Sequence, residues 1–378
     1  MTNTQRFLTL DVFRGMTICF MIIVNTSGNG ETTFAPLMHA SWHGFTPTDL
    51  VFPSFLFAVG NAMSFVMLKW SSLSQSTVIW KILKRTAIIF LLGYLMYWFP
   101  FAHVDADGKW VGNKIGDTRI FGVLQRIALC YGVASLMIYF LKTKWVMAIS
   151  LLLLVAYKFL LTGFGDLTLE GNAVLKLDQW LIGDSHLYTG EGIPFDPEGL
   201  LSTLPAIVNV VFGYYAGRYI QQKARVNDSL GQGKIYEGLT HLLLAGILLL
   251  FLAYCWNSSF PVNKKLWTSS FVLLTVGLDL MILSLILYVT EILHKTKWTT
   301  FFQVFGKNPL FIYLLSEIGV TILWLIPIND TPLYRWLYNN IFSIPGAYTG
   351  AFLFAIWWML TCWLVAWWMD KKKIYIRV

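Results

Sequence analysis

Apolar residues run along this chain in ten long stretches, at 9–27, 49–69, 79–100, 120–141, 145–162, 200–221, 237–256, 267–291, 301–326 and 348–369. About 20 mostly apolar residues let a helix cross a hydrocarbon core about 30 Å thick. The stretches show no period-2 alternation. A helix closes its backbone hydrogen bonds within its own segment, which is what a lipid environment demands of such runs. The pattern predicts an all-α polytopic membrane protein, a bundle of about ten transmembrane helices forming one domain over 1–378. The longest polar interval, 163–199, carries Gly163, Gly165, Gly171, Gly183, Gly190 and Gly192. Its turn signals predict a loop that folds over the membrane face. No separate soluble domain, linker or internal repeat is apparent.

Composition sharpens this picture. Hydrophobic residues make up 56% of the chain and charged residues 13%, about half the charged share of a soluble domain. Mean hydropathy is +0.61. That leaves too little polar surface to clothe a water-soluble core. The 17 Trp suit a protein anchored at two membrane–water interfaces. Cys19, Cys130, Cys255 and Cys362 each lie alone in an apolar stretch, with neither a CxxC nor a Cys/His cluster, so buried thiols are expected and no metal site. The first stretch begins with Asp11 and Arg14 and is followed by no small-residue cleavage signal, so it is expected to stay as the first span.

The net charge of +8 is explained by position. With the N-terminus inside, 19 of the 28 Lys and Arg fall on the inner side, among them Lys81, Lys84, Lys142, Lys144 and Lys371 to Lys373. The imbalance predicts cytoplasmic N and C termini in an inner (cytoplasmic) membrane. No basic run interleaved with aromatics offers a nucleic-acid face.

Polar groups at a membrane edge cost free energy and call for a reason. The densest set is Asp11, Arg14, Asn25, His39, His43 and Asp49. A histidine is suited to moving protons near neutral pH, a carboxylate can orient it, and an amide can stabilise charge on an oxygen. His39, Asp49 and Asn25 are the right types. Plainer structural roles are open to the same residues. Thr46-Pro47-Thr48-Asp49 has the form of a helix start, Asn25 that of a helix C-cap, and Asp11 and Arg14 stand three apart and can pair. Asp279, Glu317 and Arg126 lie inside spans. Gly213 and Gly217 form a GxxxG pattern that serves close helix packing or dimerisation.

At these residues the sequence resembles the heparan-α-glucosaminide N-acetyltransferase family. The resemblance rests on Arg6 to Gly15, Ile23-Val24-Asn25 and His39 to Pro53. It continues through Gly122-Val123-Leu124-Gln125-Arg126, Phe195 to Gly199, Pro261 to Trp267 and Gly306-Lys307-Asn308-Pro309-Leu310, in unchanged order. It implies acetyl-CoA as donor, an amino sugar as acceptor, and substrates approaching from opposite sides of the bilayer. It also implies His39 as the catalytic histidine with Asn25 in the active site, and ranks His43 below His39; Asp49 joins them as the carboxylate of the right type to orient His39. Arg126, Gln125, Asn308 and Arg14 are the candidates for holding the donor; Arg126 either meets phosphates or pairs with an acid. Direct transfer and a route through acetyl-His39 both fit. The large lumenal domain of the animal protein has no counterpart before the first stretch, which points to glucosamine or a small amino sugar as the acceptor. The competing class is a secondary transporter of amino sugars, motivated by the ten spans and the intramembrane Asp279, Glu317 and Arg126.

Overall fold

The computed structural model describes residues 8–104, 109–224 and 231–376. Among them are thirteen α-helices and two short hairpins. The helices are α1 (Leu8–Asn25), α2 (Pro47–Trp70), α3 (Gln75–Trp98), α4 (Val123–Phe140), α5 (Thr143–Phe164), α6 (Ala173–Ile182), α7 (Thr203–Ala224), α8 (Gly231–Asn257), α9 (Ser269–Leu287), α10 (Thr299–Lys307), α11 (Pro309–Leu325), α12 (Leu333–Leu337) and α13 (Ala347–Lys371). The hairpins pair β1 (Ala102–Val104) with β2 (Trp110–Gly112) and β3 (Pro327–Ile328) with β4 (Thr331–Pro332), both antiparallel.

Each of the ten apolar stretches coincides with a helix or a helix pair. Seven helices are long and apolar enough to cross a membrane: α1, α2, α4, α5, α8, α13, and α9 with the π-helical turn that extends it to Ile292. The stretch at 301–326 is not one rod. It is α10 and α11, bent by 84° at Asn308–Pro309 and making an eighth candidate span. Pro309 lacks an N–H and stands at the first turn of α11, where that donor is not needed. The expected count of about ten is therefore seven or eight by length and composition. The difference is α3, which carries Lys81, Lys84 and Arg85, and α7, whose apolar run is diluted by Asn209, Tyr214, Tyr215, Arg218 and Tyr219.

The chain divides into two compact units. The first comprises residues up to 39, 46–55 and 285–377. In it α1 packs along α10, and α13 packs against α1 and α11. Lipid tails are as apolar as leucine, so helices associate by close packing and polar contacts. Gly15 permits this: a Cβ there would lie 1.8 Å from the Phe302 carbonyl oxygen. Arg14 Nε donates to the Gly306 carbonyl at 2.8 Å across the same seam. A second cluster gathers Tyr334, Tyr338, Ala351 and Phe354 around α12 and α13.

The second unit comprises 40–45 and 56–284. Here α3 packs on α4, α4 on α7, and α7 on α5 and α8. The GxxxG pair faces inward: a Cβ on Gly213 would lie 2.1 Å from the Phe57 carbonyl oxygen, and one on Gly217 would crowd Ser64 and Asn61. That face is covered by α2, so the pair serves packing within the chain. Asp279 is buried in α9, as a polar group on a bundle-facing side should be. The long loop folds on itself around Tyr157, Leu161, Val174, Leu175, Leu187, Phe195, Phe260 and Leu266, with α6 as its helix.

Candidate active site

The start of α2 determines where His39 is held. Pro47 fixes φ for the first helical turn, Thr46 precedes it, and Asp49 follows three residues after Thr46. Asp49 Oδ2 accepts from the Thr46 backbone N–H at 3.0 Å, which is the helix-start role the spacing predicts. The other oxygen, Oδ1, lies 2.7 Å from His39 Nδ1. The capping role and the histidine-orienting role are therefore both filled, one by each oxygen. The Asp49 side chain is 1% exposed and the His39 side chain 43%. An ionised carboxylate only accepts, so Nδ1 carries the proton and Nε2 holds the basic lone pair. Thr46 Oγ1 donates to the Met38 carbonyl at 2.7 Å and Thr48 Oγ1 to that of Pro36 at 3.0 Å, so the residues just before His39 are tied to the start of α2.

Asn25 ends α1 as expected, but its side chain does more than close a helix. Its Nδ2 donates to Glu317 Oε1 on α11 at 3.1 Å. One amide proton is thereby committed and the carboxamide is oriented by the acid. The loop that follows is anchored to the α12–α13 region of the same unit. The Tyr334 hydroxyl donates to the Ser27 carbonyl, and Gly28 packs on Tyr338 and Phe354 with its N–H toward Ala351 O at 3.4 Å. Asn25 and His39 stand at the two ends of this anchored loop. Glu317 was visible in the sequence as an intramembrane acid, but its partner, 292 residues away, was not.

Residues 40–45 belong to the second unit and are bound tightly there. Trp42 Nε1 donates to the Leu167 carbonyl at 2.7 Å, Gly44 N to that of Val262 at 2.9 Å, and Lys265 Nζ to that of Ser41 at 2.8 Å while pairing with Glu191. Asn263 Nδ2 lies 3.3 Å from His43 Nδ1. An amide N–H can only donate there, so Nδ1 of His43 is the acceptor, the opposite tautomer from His39. Burial lowers the His43 pKa from its ordinary value. Among the described residues His43 has no carboxylate partner within ion-pair distance.

The four donor-site candidates have different surroundings. Arg126, 0% exposed, donates to the Gly199 carbonyl at 3.1 Å and to the Ser202 hydroxyl, and stacks 4.8 Å from the Trp267 ring. Its Nε and Nη1 have no hydrogen-bond partner among the described residues, and neither does either amide atom of buried Gln125. Arg126 makes no direct ion pair among the described residues, although the charges of Glu198 and Asp196 act on it. Arg14 is engaged by Asp11 Oδ1 at 2.8 Å and by Gly306. The Asn308 amide clamps the chain after α13, donating to Ile374 O and accepting from Ile376 N, each at 2.9 Å.

One charged cluster escaped sequence reasoning although its residues lie in or beside recognised blocks. Arg119 makes two hydrogen bonds to Asp196, at 2.7 and 2.8 Å, and one to Glu198 at 2.6 Å, with Tyr97 and Tyr188 on its cationic face. Burial works against the Glu198 carboxylate, but Arg119, Arg126 and Lys264 outweigh it and hold its pKa below the usual value. On α6, Asp178 accepts from Leu200 N at 3.1 Å, and its Oδ2 has no partner among the described residues. Burial pushes its pKa up to about 7, with the charge of Asp196 adding to the effect.

Residues 6–254 match the family described as heparan-alpha-glucosaminide N-acetyltransferase, catalytic. The chain is 26% identical over 376 residues to the mouse protein named heparan-alpha-glucosaminide N-acetyltransferase, covering 84% of this chain and 54% of that one. It is 28% identical over 368 residues to the human protein of that name, covering 83% and 53%. The chain thus spans about half the length of the curated relatives it matches.

Proposed function

Because the chain belongs to the heparan-alpha-glucosaminide N-acetyltransferase catalytic family, we propose that it transfers the acetyl group of acetyl-CoA to the amine of glucosamine or a related small amino sugar. The observation that carries this reading is the 2.7 Å contact between His39 and the buried Asp49. It leaves His39 Nε2 as the acceptor for a proton in a half-exposed position.

In this reading the sugar amine attacks the thioester carbonyl carbon. His39 Nε2 takes the proton that the nitrogen sheds as the N–C bond forms. Asp49 stabilises the imidazolium through Nδ1–H without accepting the proton itself. The second Nδ2 proton of Asn25 is directed at the carbonyl oxygen, where negative charge develops. The C–S bond then breaks, the thiolate takes the proton from His39, and free CoA and the N-acetyl sugar leave. The amine attacks directly, and His39 serves as base and then as acid.

Gln125 and Arg126 are proposed to bind the donor. Their buried amide and guanidinium atoms without partners support this role. Arg14 and Asn308 are proposed as further donor-side residues, each held in place by contacts within the chain. The reading also holds that both termini are cytoplasmic in a bacterial inner membrane, on the strength of the Lys and Arg distribution.

The test is to mix purified protein with acetyl-CoA and a panel of amino sugars, following free thiol and product mass. Thiol release that requires an amino sugar, with a matching N-acetyl product, supports the reading. Thiol release indifferent to every amine, or none at all, rejects it.

A further inference from the structure

Away from the residues assigned above, the second unit carries a cleft among α5, α7, α8 and α9. Two adjoining cavities, of about 610 and 770 Å³, share Met147, Phe212 and Leu249 along their walls. The lining of α8 runs from His241 to Trp256, about 22 Å at 1.5 Å per residue. That exceeds one leaflet, half of a core about 30 Å thick.

The cleft is polar at one end and apolar along its length. At the polar end stand Arg218, Tyr219, Gln222 and His241. Below them the walls are leucines from α5 and α8, with Trp256 at the far end. The Tyr219 hydroxyl and His241 Nδ1 lie 2.6 Å apart, and whichever of the two donates, the pair keeps one further donor, the His241 Nε2–H or the Tyr219 O–H. Arg218 is exposed and has no acidic partner among the described residues. The nearby acid Glu237 is already paired with Lys223 at 2.7 Å. Lys142 and Lys144 flank the start of α5 at Thr143, which also lines this end. The surplus charge is therefore positive. The apolar parts of α5 and α8 that flank the cleft are only 28% and 22% buried within the protein, so most of their surface is left to the surroundings.

We propose that this cleft binds an anionic glycerophospholipid. Its phosphate is held by Arg218 and the remaining donor of the Tyr219–His241 pair, and one acyl chain lies along the α5–α8 wall. Charge complementarity selects the occupant: a neutral lipid would leave the guanidinium unmatched, and a soluble phosphate would leave the leucine wall unfilled. The proposal does not depend on the acetyltransferase reading, because none of these residues belongs to the site described above.

The test uses the full chain in detergent and native mass spectrometry. Palmitoyl-oleoyl phosphatidylglycerol and phosphatidylcholine are titrated separately, and free CoA is added in a third arm. The expected result is one retained phosphatidylglycerol, bound about tenfold more tightly than phosphatidylcholine. That preference should be lost in Arg218→Gln, which alters only an exposed side chain, while Lys176→Gln, outside the cleft, keeps it. Ala245→Trp, which fills the groove, should weaken both lipids. Equal affinity for the two lipids, an unchanged preference in Arg218→Gln, or displacement of the lipid by CoA would each overturn the proposal.

Discussion

The carboxylate of Asp49 serves two neighbours at once. Its Oδ1 accepts a hydrogen bond from His39 Nδ1–H at 2.7 Å, and its Oδ2 closes the start of α2 through the Thr46 N–H at 3.0 Å. One side chain thus couples the folding of a helix end to the protonation geometry of the histidine. Substitutions can separate the two roles. Asp49→Asn retains the shape and one acceptor but no longer fixes the imidazole tautomer. We expect kcat to fall about 10²-fold or more, with only a small loss of stability. Asp49→Ala should match that kcat loss and in addition cost about 1 kcal/mol from the missing cap, visible as a lower Tm. Asp49→Asn with wild-type turnover would contradict the orienting role.

Asn25 and Glu317 form the second pair. If the Asn25 amide stabilises the developing oxyanion, Asn25→Ala should reduce kcat by about 10²-fold to 10³-fold, the usual cost of one such donor. Glu317→Gln leaves an acceptor for Asn25 Nδ2 and should change kcat little. Glu317→Ala frees the carboxamide to rotate and should fall between the two. Steady-state kinetics of the three variants checks the order, and equal activity in all of them would remove Asn25 from the mechanism.

Asp178 predicts a pH dependence of stability whose sign follows from its pKa of about 7, against an ordinary value of 3.8. The folded protein binds this proton more tightly than the unfolded chain does. Between about pH 4 and 7 the native state therefore holds more protons, and stability decreases as pH rises through that window. The full span corresponds to about 4 kcal/mol as an upper bound. Asp178→Asn keeps an acceptor for Leu200 N and removes the titration. It should raise Tm relative to wild type at pH 8 and leave the two close only below about pH 4. Parallel Tm-versus-pH curves would show that Asp178 ionises normally.

Arg119 should be a stability residue. It is bonded to Asp196, whose side chain is fully buried, and to Glu198. Removing one partner of a buried ion pair leaves an uncompensated charge, at a cost of about 3–5 kcal/mol. Arg119→Ala should lower Tm by many degrees. Arg119→Lys should recover only part of the loss, because an ammonium cannot reproduce the two-point contact. A Tm unchanged in Arg119→Ala would mean that the cluster is not holding the loop.

Much of the fold was legible because a bilayer imposes one strong rule on long apolar runs. All ten stretches are helical, and the Thr46-Pro47-Thr48-Asp49 start was readable from residue chemistry alone. The His39–Asp49 pair lies within reach of that reading because only ten residues separate the two, and Thr46 and Pro47 fix the geometry between them. The 84° break was announced only by Asn308–Pro309 inside an otherwise continuous apolar run. Partners distant in sequence left no local signal: Asn25 with Glu317, and Arg119 with Asp196, 77 residues on. Arg14 and Asn308 illustrate the converse. Their residue types suit phosphate binding, but whether a side chain is already occupied by its own fold depends on tertiary neighbours such as Gly306 and Ile374.

The central claim is that the His39 imidazole moves the proton of the attacking amine. Its most direct test is the single-turnover rate of acetyl transfer from acetyl-CoA to glucosamine in His39→Ala, on protein whose size-exclusion profile and Tm match wild type. The account predicts a rate at least about 10²-fold slower. A variant that forms N-acetylglucosamine at the wild-type rate would contradict it.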